Sequence, residues 1–524
     1  MKAYAQPLIC IVSMWALIIL ISNLLYESSF VVTSDSSIYY AVGRAILNGL
    51  RPYVDLFETK PPGIFLLTAV ALYFQKMEIV NWLYALLSLS LIPLSYLMSK
   101  QLLLDRHKHV LAKQKDIYLW WSGLVVSTSL LVLFCFRVSG EGQVELFGCA
   151  FCLWALYFTQ LSLQKSNSTQ FLIGASFVSA IFLFLSVFFK EPFFLLYLAG
   201  VLFLFEVNTN NTLKIITIII LSAVFFASVL WLMGSLHDYL FVYLKHIFLQ
   251  KTSMNGTGAF VAKAFQVKKV YKELELFIFG FGFYSFILFL CAFIIMFFVS
   301  VTPKKELLTL AIHLFKNIFG VLLTVLATSL VTPQYGHHFV FAVPLFYLAA
   351  VVFWTPLLNA KNFVKFKYAF FVIFFPALLM FYKSVDNHRR LMFVNTHLSK
   401  TRIYSKALDE MLSACLVDRY QFIGGNGFQP YMFTEHSPIG PAFFQFDFHP
   451  APRDEYLQKK LIEQINEAKV IVYERLNNFS IRSQVEDLVH KKFTSARMPS
   501  CAIEYSKRLY GKSNLRIFFR NDMF

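Results

Sequence analysis

Apolar runs of spanning length, nearly free of charge, recur from the N-terminus to about residue 382 and limit what this chain can fold into. A window of ~20 residues places candidate spans near 8–26, 80–99, 118–136, 146–164, 171–189, 193–206, 214–235, 274–300, 316–332, 338–355 and 367–382. Only 15% of the 524 residues are charged, where soluble chains carry about a quarter. Soluble cores cannot hide so much apolar sequence, so lipid is the expected solvent. The formal charge of +17 would point to nucleic acid on a soluble chain. Here it reads as cytoplasmic basic loops and attraction to anionic lipid, with no nucleic-acid partner expected.

Charge sets the orientation. The basic loops His107 to Lys115, Lys304 to Lys316 and Lys361 to Lys367 fall on alternate connections and mark the cytoplasm. Gly63 to Gln75 is apolar but only ~13 residues long, below the ~17 a span requires. It reads as a juxtamembrane helix started by Pro61 and Pro62. The run from Leu8 to Tyr26 reads as a signal anchor and first span. The expected fold is therefore mostly α: a polytopic membrane helical bundle of about 11 transmembrane helices over residues 1–382, with a small C-terminal α/β domain outside the cytosol over residues 383–524. In that tail, Gln421 to Gly425 reads as a strand and glycine turn, Tyr456 to Ala468 as an amphipathic helix, and Val470 to Tyr473 as a buried strand. The Gly424-Gly425-x-Gly427 turn lacks the spacing of a dinucleotide fingerprint. Cys149 and Cys152 have C-x-x-C spacing within a span, where cysteine serves as a small hydrophobe. Cys415 and Cys501 could pair outside the cytosol.

Ionisable residues gather on the outer connections rather than at midplane, which disfavours an ion-coupled transporter. The first outer loop is richest. It runs from Asp35 through a helix with Tyr39, Val42, Ala45 and Ile46 on one face, then Asn48-Gly49-Leu50-Arg51-Pro52-Tyr53, then Glu58-Thr59-Lys60-Pro61-Pro62. Taken alone, Asp35 or Ser34 could be only an N-cap, Lys60 and Lys190 could only snorkel to head groups, and Arg51 with Asp55 could only shape the loop.

This order of an acid, an amphipathic helix, Asn-Gly-x-x-Pro-Tyr, an acid before Lys-Pro-Pro and a surface helix resembles the GT-C membrane glycosyltransferases. The similarity is to the family 39 branch, that of protein O-mannosyltransferases and aminoarabinose transferases. Lys190 after the fifth span and Tyr335-x-His337-His338 before a later span match as well. The resemblance implies transfer of a hexosyl or pentosyl group from a polyprenyl-phosphate donor, with inversion. The acceptor would be an envelope lipid such as lipid A of lipopolysaccharide, another glycan or a protein, at the outer face of the inner membrane. It implies Asp35 as general base, Lys60, Lys190, His337 and His338 at the donor phosphate, and Glu141, Glu145 and Tyr335 at the acceptor. Glu58 matches a position that helps to hold a divalent metal cation, although Thr59 is one residue more than the family pattern has. The loop His237 to Lys272, with Lys263, Lys268, Lys269, Lys272 and a flexible Asn255–Gly258 segment, suits a lid. A lipid-linked polysaccharide polymerase or ligase and a lipid-linked saccharide flippase are the competing readings.

Overall fold

A computed structural model describes residues 34–56, 58, 60–77, short helical pieces between 79 and 101, 144–164, 168–205, 208–245, 316, 319–320, 323–324, 396–423, 434–440, 455–474, 482–510 and 515–524. The spans expected near 8–26, 118–136, 274–300, 338–355 and 367–382 lie outside these residues, as do the Gly424–Gly427 turn and the lid lysines. The chain divides into two compact units. One holds residues 1–28, 81–226 and 262–390; the other holds 29–80, 227–261 and 391–524. The first outer loop thus belongs to the same unit as the C-terminal tail.

That loop opens with helix α1, Ser34–Leu47, and closes with α2, Pro62–Tyr73, which has proline in its first turn as the sequence indicated. The two pack closely. A methyl group added to Gly43 would stand 2.6 Å from Thr68 Oγ1 and 2.8 Å from the Ala69 nitrogen. The Thr68 hydroxyl donates toward the Tyr39 carbonyl at 2.7 Å. This contact corrects the picture of α1 as a one-faced surface helix. Ile38, Tyr40 and Ala41 are buried together with Tyr39, Val42 and Ala45, so residues 38–42 in the middle of α1 are enclosed on all sides. Burial of Tyr40 is compatible with its hydroxyl because that group donates to the Met77 carbonyl at 2.8 Å.

In the other unit, α3 (Val144–Ser162) and α4 (Thr169–Phe189) form an antiparallel pair; they are followed by α5 (Phe193–Leu204) and α6 (Thr209–Leu232), whose last six residues, 227–232, belong to the second unit. Apolar side chains face lipid as readily as protein, so helices in a bilayer are held by close packing and interhelical hydrogen bonds. Ser186 donates to the Gly148 carbonyl at 2.7 Å, and Ser179 to the Ala155 carbonyl at 2.9 Å. Thr159 bonds both Ser179 and Tyr197 at 2.8 Å. Lys214 donates to the Ser162 carbonyl at 2.8 Å, which satisfies one of the orphan carbonyls at the end of α3. Among the described helices, α4 and α6 are long and apolar enough to cross a membrane. At 12 residues α5 is shorter than the span read from 193–206, because the chain turns to extended geometry at Phe205.

Among the described residues, the tail begins with α7, Thr396–Ala414, and carries a five-stranded mixed sheet. Its strands are β1 (Arg419–Ile423), β2 (Ser437–Pro438), β3 (Val470–Glu474), β4 (Phe493–Thr494) and β5 (Leu515–Arg520), in the order β2-β1-β3-β5-β4. β1 and β3 are parallel and joined through helix α8, Glu455–Glu467, matching the strand–helix–strand reading. Leu461 and Ile465 of α8 pack with Ile423, Ile471 and Phe518 of the sheet, and with Val485 and Val489 of α9, Arg482–Lys492. A disulfide joins Cys415, just beyond α7, to Cys501.

Candidate active site

The acid comes first in the chain. Asp35 lies within the described helix α1, Ser34–Leu47. The helix ends at Asn48-Gly49, where Gly49 takes the left-handed conformation (φ +83°) and the Leu50 amide reaches back to the Ala45 carbonyl at 2.9 Å.

The next residues form a tight turn. Asp55 accepts from the Arg51 amide at 2.8 Å and from its guanidinium at 3.1 Å, while the Asp55 amide returns a bond to the Arg51 carbonyl. Burial would raise the Asp55 pKa, but these bonds and the positive charges of Arg51 and Arg419 outweigh it and leave the carboxyl below its ordinary range. Tyr53 sits at φ +67°, a left-handed geometry that costs a bulky residue about 1–2 kcal/mol. Its surroundings compensate. The Tyr53 hydroxyl donates to the Lys60 carbonyl at 2.7 Å, and its ring lies 4.8 Å from that of Tyr243 and 5.3 Å from that of Tyr239. A strained residue thus fixes the strand of chain that carries Glu58, which is 2% exposed, and Lys60, which is half-buried.

In the other unit, Lys190 caps the end of α4 in extended geometry, and Glu145 lies in the first turn of α3. Their side chains meet at 3.1 Å and are only 11% and 12% exposed. The sequence reading gave them separate partners, phosphate for Lys190 and acceptor for Glu145; the structure brings them together. Glu141, Tyr335, His337 and His338 lie outside the described residues.

No protein-family model matches the sequence, and no curated protein matches it. The fold does have counterparts. The chain superposes on the crystal structure of ArnT from Cupriavidus metallidurans bound to undecaprenyl phosphate with a TM-score of 0.54 and 11% identity, covering 97% of this chain and 98% of that one. The fold is GT-C. A crystal structure of the Archaeoglobus fulgidus oligosaccharyltransferase, complexed with zinc and sulfate, is also similar: TM-score 0.49, 11% identity, 90% of this chain and 69% of that one. The GT-C assignment rests on the first.

Within the GT-C frame, the described residues bring Glu58 and Lys60 onto one braced loop and pair Lys190 with Glu145. No three His, Cys, Asp or Glu side chains among the described residues converge as metal ligands, so a cation at Glu58 would need further ligands. Asn48 and Tyr53 are architectural residues whose only sequence signal is the Asn-Gly and Pro-Tyr pattern of the first loop.

Proposed function

We propose that this chain is a multi-pass membrane glycosyltransferase. It would move one sugar from a polyprenyl-phosphate donor to an envelope acceptor on the outer face of the inner membrane. Residues 1–382 would form the membrane-embedded catalytic body and residues 383–524 a domain outside the cytosol. The observation that carries this reading is a GT-C fold along almost the whole chain, with the first loop built as an acid-bearing helix, a braced turn and a second helix. The relative that shares the fold was solved with undecaprenyl phosphate, which supports a lipid phosphate as the leaving group.

The proposed reaction is a single displacement. An acceptor hydroxyl oxygen attacks the anomeric carbon as the bond from that carbon to the phosphate oxygen breaks. Asp35 takes the hydroxyl proton, and polyprenyl phosphate leaves with the bonding electrons, so the anomeric centre inverts. Negative charge grows on the phosphate in the transition state, and cations placed beforehand stabilise it most. Lys60 and Lys190 are the cations proposed for this, with His337 and His338 as further donors to the phosphate. The Glu145 carboxylate would hold the Lys190 ammonium in place. Tyr335 and Glu141 would meet the acceptor. A divalent cation at Glu58 would add Lewis-acid charge near the phosphate.

The test is mass spectrometry of envelope glycolipids and glycoproteins from cells carrying the wild-type chain or Asp35→Asn. A single sugar missing in the variant, with the protein inserted normally, is the expected result and names the transferred group. A full glycan complement in the Asp35→Asn cells would overturn the reading. An altered distribution of the lipid carrier with unchanged glycans would instead identify a flippase.

A further inference from the structure

We infer that the C-terminal domain clamps the loop that presents Glu58 and Lys60, with Asn48, Ser437 and Gly440 as the positioning residues. The inference rests on the transferase reading and assigns the tail a part in the same site.

The grip starts from a short strand that is itself immobilised. The Asp409 carboxylate accepts from the amides of Glu435 at 2.8 Å and His436 at 3.1 Å, and lies 2.7 Å from His436 Nδ1. Arg419 donates twice to the Pro438 carbonyl, at 3.1 and 2.7 Å. The Ile439 amide donates to the Tyr420 carbonyl at 2.9 Å, and the buried hydroxyls of Tyr420 and Thr434 lie 3.0 Å apart. Residues 434–440 are therefore fixed to α7 and β1.

The same segment holds the first loop at both ends of its turn. Asn48 Nδ2 has two hydrogens and uses both, one to the Glu435 carbonyl at 2.9 Å and one to Ser437 Oγ at 2.8 Å. Gly440 lies against the Asp55 carbonyl so closely that a methyl group there would collide with that oxygen and approach Leu56 Cδ2. Arg419, already bonded to Pro438, also lends its charge to Asp55. From Asp55 the connection continues inside the loop, through the Arg51–Asp55 pair and the Tyr53 hydroxyl, to the Lys60 carbonyl. A binding group must be held within about 0.5 Å of its working position, and loop residues are the hardest to hold so. A rigid strand gripping Asn48 and Asp55 supplies the missing support.

Ser413 Oγ stands 3.5 Å from His436 Nε2, so a serine, an imidazole and a carboxylate lie in hydrolytic order. Ser413, however, is in the last turn of α7, where helix carbonyls oppose an oxyanion. The trio acts as a strut for the clamp.

The experiment uses the full-length protein in detergent, with undecaprenyl phosphate as the probe. Asn48→Ala and Gly440→Ala should each weaken its binding roughly tenfold, the loss of about one good contact. Thermal unfolding of the tail should be little changed. A cystine made by joining Asn48→Cys to Ser437→Cys should restore binding on oxidation, where neither single cysteine variant oxidised in the same way does. Wild-type binding by Asn48→Ala and Gly440→Ala, while Asp35→Asn still abolishes transfer in cells, sinks the clamp and leaves the transferase reading standing. Normal transfer by Asp35→Asn sinks that reading itself. Weakened binding that the oxidised pair fails to restore marks general damage and also overturns the clamp.

Discussion

Two ion pairs of equal length serve different ends in this molecule. Lys190–Glu145 and Arg51–Asp55 both close at 3.1 Å. The first joins the ends of two helices and is nearly buried, with 11% and 12% of its side chains exposed. The second spans four residues of one turn and keeps 52% and 29%. A charge pair out of water is held by its partner and costs heavily when that partner is removed, whereas an exposed pair contributes little. Distance alone would rank them equal. Burial makes the first a determinant of how α3 and α4 meet, and leaves the second as one of several devices shaping a turn.

The largest effect should follow from splitting the buried pair. Lys190→Met should lower stability by about 3–5 kcal/mol, measured by thermal unfolding in detergent, and adding Glu145→Leu should recover most of it. A harmless Lys190→Met would break the contrast. In the turn, Tyr53→Phe should cost about 1 kcal/mol, because it removes the bond to the Lys60 carbonyl while keeping the ring. If that change matters less than loss of the ion pair, the turn is governed by charge after all. The smallest effect belongs to Arg51→Ala, below about 1 kcal/mol and erased near 1 M salt. Its pH signature has a definite sign. The Asp55 pKa is lowered in the folded protein, so its contribution is complete above the ordinary carboxylate range and fades as acidification passes below it. An unfolding series from pH 7 to pH 3 should show the wild type losing this increment and Arg51→Ala showing little of it.

The sequence revealed what is local and hid what is distant. Pro61-Pro62 and the shortness of the following apolar run announced α2, and the spacing of Leu461 and Ile465 announced α8. The enclosure of α1 did not show, since Ile38, Tyr40 and Ala41 become core only when α2 folds back onto them. The insertion of β5 between β3 and β4 was hidden for the same reason: its pairing is set by a strand some forty residues earlier. The Lys190–Glu145 contact is invisible to charge patterning, which pairs neighbours along one helix. The Asn48–Ser437 bond, 389 residues apart, carries no local signal at all. The roles proposed for Asp35, Glu58 and Lys60 rest on resemblance to a family pattern, and the structure adds the turn that holds two of them.

The cystine between Cys415 and Cys501 ties the end of α7 to a segment 86 residues further along. Such a bond persists in oxidising surroundings and is undone by cytosolic thiols. On the topology proposed above, the tail's maturation is coupled to the side of the membrane on which it is delivered. A chain inserted upside down would reach its destination without this stitch, and migration on a non-reducing gel would tell the two orientations apart.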